Sequence, residues 1–164
     1  MTQVDIINQV LGIAVDSPLY QVRQFREKVV KGTQDSYDAL FSDKLTVPLT
    51  WRYAVAVFSS RLVGSIEFEQ HYRALAEQSG LSAEALDLIV AGEFNQLEDK
   101  ALTEVLRFTQ KLSLKPVEGD KDAVLTLKKA GIATHDIVAL SQLIAFLSYQ
   151  LRLAAGLKAM AKLV

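Results

Sequence analysis

In the stretch Leu49-Thr50-Trp51-Arg52-Tyr53-Ala54-Val55-Ala56-Val57-Phe58-Ser59-Ser60-Arg61-Leu62-Val63, the apolar residues return at the helical period. Trp51, Val55, Phe58 and Leu62 stand at i, i+4, i+7 and i+11, which lines them along one face of an α-helix. Thr46 and Pro48 introduce the run, and Gly64-Ser65 interrupts it. Downstream the same reading repeats. Ser65 is placed to cap a second helix that stops at Gly80, a typical residue after a helix end. Ser82 caps a short helix carrying Leu86, Ile89 and Val90 to Gly92, and a further helix covers 97–112. The polar stretch 115–120 reads as a loop, a helix near 121–129 ends at Gly131, and Thr134 caps a final long helix toward Lys162.

Upstream, Thr2 or Asp5 opens a short helix carrying Ile6, Ile7, Val10 and Leu11 toward Gly12. Ser17 and Pro18 then form a helix start, because proline at the first helical position gives up an N–H that has no partner anyway. Leu19, Val22, Phe25 and Val29 follow at helical spacing, Gly32 breaks the run, and Tyr37, Leu40 and Phe41 make one more amphipathic turn or two. No stretch alternates at period 2 between turn dipeptides, so strands have little support. The expectation is an all-α chain forming a single domain over residues 1–164.

Composition narrows the chemistry. The chain of 164 residues has a net charge of −1 and no cysteine, which excludes disulfides, thiolate metal sites, iron–sulfur clusters and any thiol nucleophile. The charge balance offers no basic footprint for nucleic acid. The opening Met1-Thr2-Gln3-Val4-Asp5 lacks the basic and apolar regions of a cleaved signal peptide. Residues 137–151 carry no charge, yet the run falls short of the ~20 residues that a bilayer requires and contains Ser141, Gln142, Ser148 and Gln150. It reads as a buried helix of a cytoplasmic protein, or as part of a subunit interface, and not as a membrane span.

Two histidines exhaust the imidazoles. His135 follows the predicted cap Thr134 and reads as an exposed residue of a first helical turn. Glu67 and His71 stand at i, i+4 and share a helix face, a spacing that suits a carboxylate–imidazole acid–base pair and equally an ordinary surface contact. No metal-ligand spacing, phosphate-binding glycine loop or nucleophile elbow is present, so neither metal nor cofactor is expected. Arg23, Arg26, Lys28 and Lys31 read as the solvated side of a helix.

Three segments, Thr50-Trp51-Arg52-Tyr53-Ala54-Val55-Ala56-Val57, Gly64-Ser65-Ile66-Glu67-Phe68-Glu69-Gln70-His71-Tyr72 and Ala74-Leu75-Ala76-Glu77-Gln78-Ser79-Gly80-Leu81-Ser82, stand out as a set. Together they resemble the alkylhydroperoxidase D / carboxymuconolactone decarboxylase superfamily. The likeness resumes at Ala130-Gly131-Ile132-Ala133-Thr134-His135-Asp136-Ile137-Val138 and along 143–153, while 5–14 and 36–41 are similar to an uncharacterised subgroup.

The resemblance implies an all-α domain with residues 1–45 as an N-terminal helical extension packed on it, assembling into homo-oligomers, often trimers or hexamers. In peroxidase-type members a Cys-x-x-Cys pair, a following histidine and an upstream glutamate form a proton relay. Counting back from Gly80-Leu81 puts Ser65 and Phe68 at the cysteines, Tyr72 at the histidine and Tyr53 at the glutamate. Sliding by one residue to seat His71 puts Gly64 and Glu67 at the cysteines.

Both registers lack sulfur, and a serine hydroxyl cannot run thiol–disulfide exchange. The decarboxylase branch acts on a small anionic lactone and needs no cysteine pair. By resemblance, then, Glu67, His71 and Tyr53 are the candidate catalytic residues, and Tyr72, Ser65 and Arg52 the candidate substrate contacts, with Arg61 or Arg73 as other carboxylate holders. A small-molecule enzyme or binder without peroxidase activity is one expectation. A non-catalytic oligomeric scaffold or partner-binding domain is the alternative.

Overall fold

In a computed structural model, which describes residues 5–163, every regular element is helical. The helices are α1 (Ile6–Leu11), α2 (Pro18–Gln24), α3 (Glu27–Leu40), α4 (Leu49–Leu62), α5 (Ile66–Gln78), α6 (Ala83–Ala91), α7 (Lys100–Leu114), α8 (Lys121–Lys129) and α9 (Thr134–Met160). Short 3-10 turns occupy Phe94–Gln96 and Pro116–Glu118, the second of them inside the stretch expected to be loop.

Local chemistry sets most boundaries. The side chains of Asp5, Ser17, Ser82, Asp99 and Asp120 each accept a backbone N–H in the first turn of their helix. Thr2, the other candidate for opening α1, lies outside the described residues. Two expected caps are different in kind. Ser65 stands at the N-cap of α5 without a side-chain bond, and Glu67 and Glu69 in that first turn complement the helix dipole instead. Ala133, not Thr134, is the N-cap of α9, so Thr134 is already helical.

The N-terminal segment departs further from the sequence reading. Gly32 does not break a helix but lies within α3, where it keeps a negative φ and costs about 1 kcal/mol relative to alanine. The break falls instead at Phe25–Arg26, between α2 and α3. Of the expected apolar stripe only Leu19 is buried, while Val22, Phe25 and Val29 are exposed. Arg23, expected on the solvated side, is nearly buried in an ion pair with Asp5 at 2.6 Å.

α4 and α9 form the centre. Ala54, Val55, Ala56, Val57 and Phe58 of α4 are inaccessible or nearly so, and α4 packs on α5, α6, α7 and α9. α9 is long and apolar enough to cross a membrane, but half of its most apolar stretch is buried inside this chain. Leu140, Leu143, Ile144, Leu147, Leu151 and Ala154 carry that burial, each leucine contributing about 1.5–3 kcal/mol. α1 packs on α5 and α9, α3 packs on α9, and α2 rests on α3.

Candidate functional site

Gly64, with φ of 69°, makes the tight turn that folds α5 back along α4. Successive residues of a helix point about 100° apart. His71 and Tyr72, neighbours in α5, therefore serve different surroundings.

Tyr72 points into the core. It is fully buried, and its hydroxyl donates to Gln150 Oε1 of α9 at 2.6 Å. Around it stand Phe68 and Phe41, at ring-centroid distances of 5.9 and 5.7 Å. Phe41, just beyond the end of α3, also stacks on Tyr53 at 5.1 Å and meets Tyr37 at 4.9 Å. The seam between α4 and α5 is thereby filled with rings. Burial pushes the Tyr72 and Tyr53 phenols up, so both stay protonated at neutral pH. The second polar end of Gln150, Nε2, is buried without a hydrogen-bond partner.

His71 points into a cleft of about 360 Å³ lined also by Ile6, Gln9, Gln34, Tyr37, Asp38 and Leu75. Its ring meets Tyr72 edge-on at 5.2 Å, and Nε2 is buried with no hydrogen-bond partner. Burial holds the imidazole below its ordinary value, so it is neutral at pH 7. Gln34 organises the cleft wall. Its Oε1 accepts from the Ile6 N–H at 2.8 Å, fixing the start of α1, and its Nε2 donates to Asp38 Oδ1 at 2.8 Å. Burial pushes the Tyr37 phenol up, with Tyr53 and Asp38 adding to the effect.

No hydrogen bond or ion pair joins Glu67 to His71. Glu67 Oε1 instead meets Lys158 Nζ of α9 at 2.6 Å, a contact that holds the carboxyl below its usual range, and Oε2 is buried and unpartnered. Tyr53 does not line the His71 cleft and stacks on Phe41. Ser65 is half-buried at the start of α5, and its N–H donates to the Ser60 carbonyl at 3.0 Å.

Arg52, expected to hold a carboxylate, is 3% exposed and donates to the carbonyls of Val47, Leu40 and Ser42. It ties the α3–α4 connection, and with it Phe41, onto α4. Arg61 lies 4.0 Å from Glu69, and Arg73 pairs with Glu77 and Asp87. His135 is exposed, with Nε2 3.0 Å from Thr46 Oγ1. No group of three or more metal-binding side chains occurs among the described residues.

The sequence reading missed Gln34, Tyr37, Asp38 and Gln150. The first three stand at i, i+3 and i+4 of α3, one helix face, a spacing visible in the sequence once the helix is extended through Gly32. Gln150 stood out as a polar residue in an uncharged helix, although nothing local could name Tyr72 as its partner.

The order and packing of these helices define the alkylhydroperoxidase D type of fold. Among the solved structures that share it are two uncharacterized proteins. One is an uncharacterized peroxidase-related protein from Silicibacter sp. TM1040, 15% identical, covering 95% of this chain and 84% of that chain at a TM-score of 0.75. The other is an alkylhydroperoxidase AhpD core, an uncharacterized peroxidase-related protein from Ralstonia eutropha JMP134, 15% identical, covering 93% of this chain and 83% of that chain at a TM-score of 0.75. No family model matches the chain, and no curated protein is significantly similar to it.

Proposed function

We propose that this chain is a cysteine-less member of the carboxymuconolactone decarboxylase-like branch of that fold, and that it binds or transforms a small organic molecule at the His71 cleft. The observation that carries the reading is a neutral, desolvated imidazole with an unpartnered nitrogen lining a cleft of about 360 Å³. Buried polar atoms are almost always satisfied, so an orphan on a ring that lines a cleft marks a functional candidate. A neutral imidazole can accept a proton from a bound molecule. Glu67 lies one helical turn away with an unpartnered oxygen of its own and is kept ionised by Lys158, so it is charged correctly to stabilise an imidazolium. Thiol peroxidase chemistry has no cysteine thiol to run on.

The test is a fragment screen by ligand-observed NMR on wild type and His71→Gln, with proton–carbon spectra of the histidine rings in wild type and a coupled peroxide-reduction assay beside it. Binders that shift the His71 ring resonances and are lost in the variant support the reading, with peroxide reduction at background. Hits indifferent to the variant, or measurable peroxide reduction, overturn it.

The scaffold reading has one observation in its favour. Val22, Phe25 and Val29 of the α2–α3 segment are 59%, 89% and 47% exposed, apolar surface of the kind a second copy of this chain covers. A monomer by light scattering at micromolar concentration removes that support.

A further inference from the structure

We infer that the His71 cleft takes a small non-anionic ligand, an amine or an amide, and not a carboxylate. The inference rests on the small-molecule reading above, concerns the charge of what binds there, and replaces the anionic ligand that the resemblance implied.

Among the described residues, no lysine or arginine lines the cleft. The three helices that wall it explain why. α1 carries no cation. The one cation of α5 is Arg73, whose guanidinium is tied to Glu77 and Asp87. α3 has Lys31, paired with Asp35 at 2.5 Å, and Lys28, ten residues before Asp38 and so about 15 Å away along the helix. Arg52, the other natural carboxylate clamp, is buried against three backbone carbonyls. Nearby Lys158 is engaged by Glu67.

What faces the cleft is a different set. Asp38 supplies a carboxylate with only Oδ1 engaged, by Gln34 Nε2. Gln9 supplies an uncommitted amide, Tyr37 a phenol that stays protonated, and Ile6 and Leu75 an apolar floor. A bound carboxylate here would lose water, gain no cation and face Asp38, a combination that disfavours binding. An amine gains the Asp38 carboxylate, and an amide finds both donors and acceptors.

Three probes with the same ring separate the possibilities: benzylamine, benzamide and benzoate, each titrated while the His71 ring is followed by proton–carbon NMR. In wild type, benzylamine and benzamide shift the His71 signals at millimolar concentration, and benzoate binds at least about fivefold more weakly, the factor expected for one unpaired like charge at about 4 Å in water. Asp38→Asn keeps an acceptor for Gln34 and lowers the benzylamine preference by about the same factor. Asp38→Lys turns the preference toward benzoate.

Benzoate bound at His71 in wild type as well as benzylamine overturns the charge assignment and leaves the cleft a ligand site. Probes that bind without moving His71, or no binding by any of the three, overturn the small-molecule reading and this inference with it.

Discussion

Two neighbouring side chains of α5 head opposite fates. Tyr72 enters a sealed aromatic seam and bonds to Gln150, whereas His71 opens on a cleft walled by α1, α3 and α5. The two registers that the sequence left open thus differ by one step of rotation about a helix axis. One register seats the reference position in the core, and the other seats it in a pocket. The core side is closed by packing. Phe41, Tyr53 and Phe68 fill the space, and Arg52 fastens the segment that delivers Phe41.

The largest effect expected from this contrast is in stability. Tyr72→Ala should cost about 3–5 kcal/mol, as removal of a buried aromatic does. Tyr72→Phe should cost about 1–3 kcal/mol, since the Gln150 carbonyl then joins its Nε2 as an unsatisfied buried group. His71→Ala should change stability by much less than Tyr72→Ala. Urea denaturation of the three variants decides, and equal losses at positions 71 and 72 would break the distinction.

A smaller effect concerns pH. The folded chain holds His71 below 6.5, so the unfolded chain binds its proton first as pH falls. Stability should therefore drop between pH 6.5 and the lower folded value, and level off below it as far as this group is concerned. The difference in denaturation midpoint between wild type and His71→Gln, measured from pH 7.5 to 5, should grow in that window. A flat difference would mean that the imidazole is as well solvated in the folded chain as in the unfolded one.

The smallest effect sharpens the boundary between the two regions. The Lys158–Glu67 pair is partly exposed, so Lys158→Ala should cost no more than about 1 kcal/mol. In the same variant the Glu67 carboxyl should titrate at higher pH, nearer its ordinary value, as carbon-detected NMR would record. A loss well beyond that would assign the pair to the core side.

Most of the architecture was legible because it is written locally. Ser17-Pro18, Ser82 and the period of Trp51, Val55, Phe58 and Leu62 each specify a helix or its start without help from distant residues. The errors arose where distant partners decide. Gly32 stays helical inside α3, which packs on α9. Arg23 is buried because Asp5 and Asn8, on another helix, receive it. The site was legible only in part for the same reason. The i, i+4 spacing put Glu67 and His71 on one face, but Lys158, ninety-one positions beyond Glu67, takes the carboxylate. Arginine candidates could be named from composition, whereas their engagement by Val47, Glu77 or Asp87 is a tertiary fact.

The uneven burial of the chain has a thermodynamic consequence. α2 and α3 bury just Leu19, Thr33 and Gln34, and they are joined to their neighbours largely by polar links, among them Thr33 to Tyr149 and Gln34 to Ile6. α4 and α9 bury long apolar rows. Free energy of opening follows buried apolar contact, so α2 and α3 should open more readily than α4 and α9, a difference that amide hydrogen exchange would read. α3 supplies Gln34, Tyr37 and Asp38, half of the side chains that line the cleft beside His71. Opening of that segment therefore exposes the imidazole further and takes Tyr37 away from Phe41 at the edge of the aromatic seam.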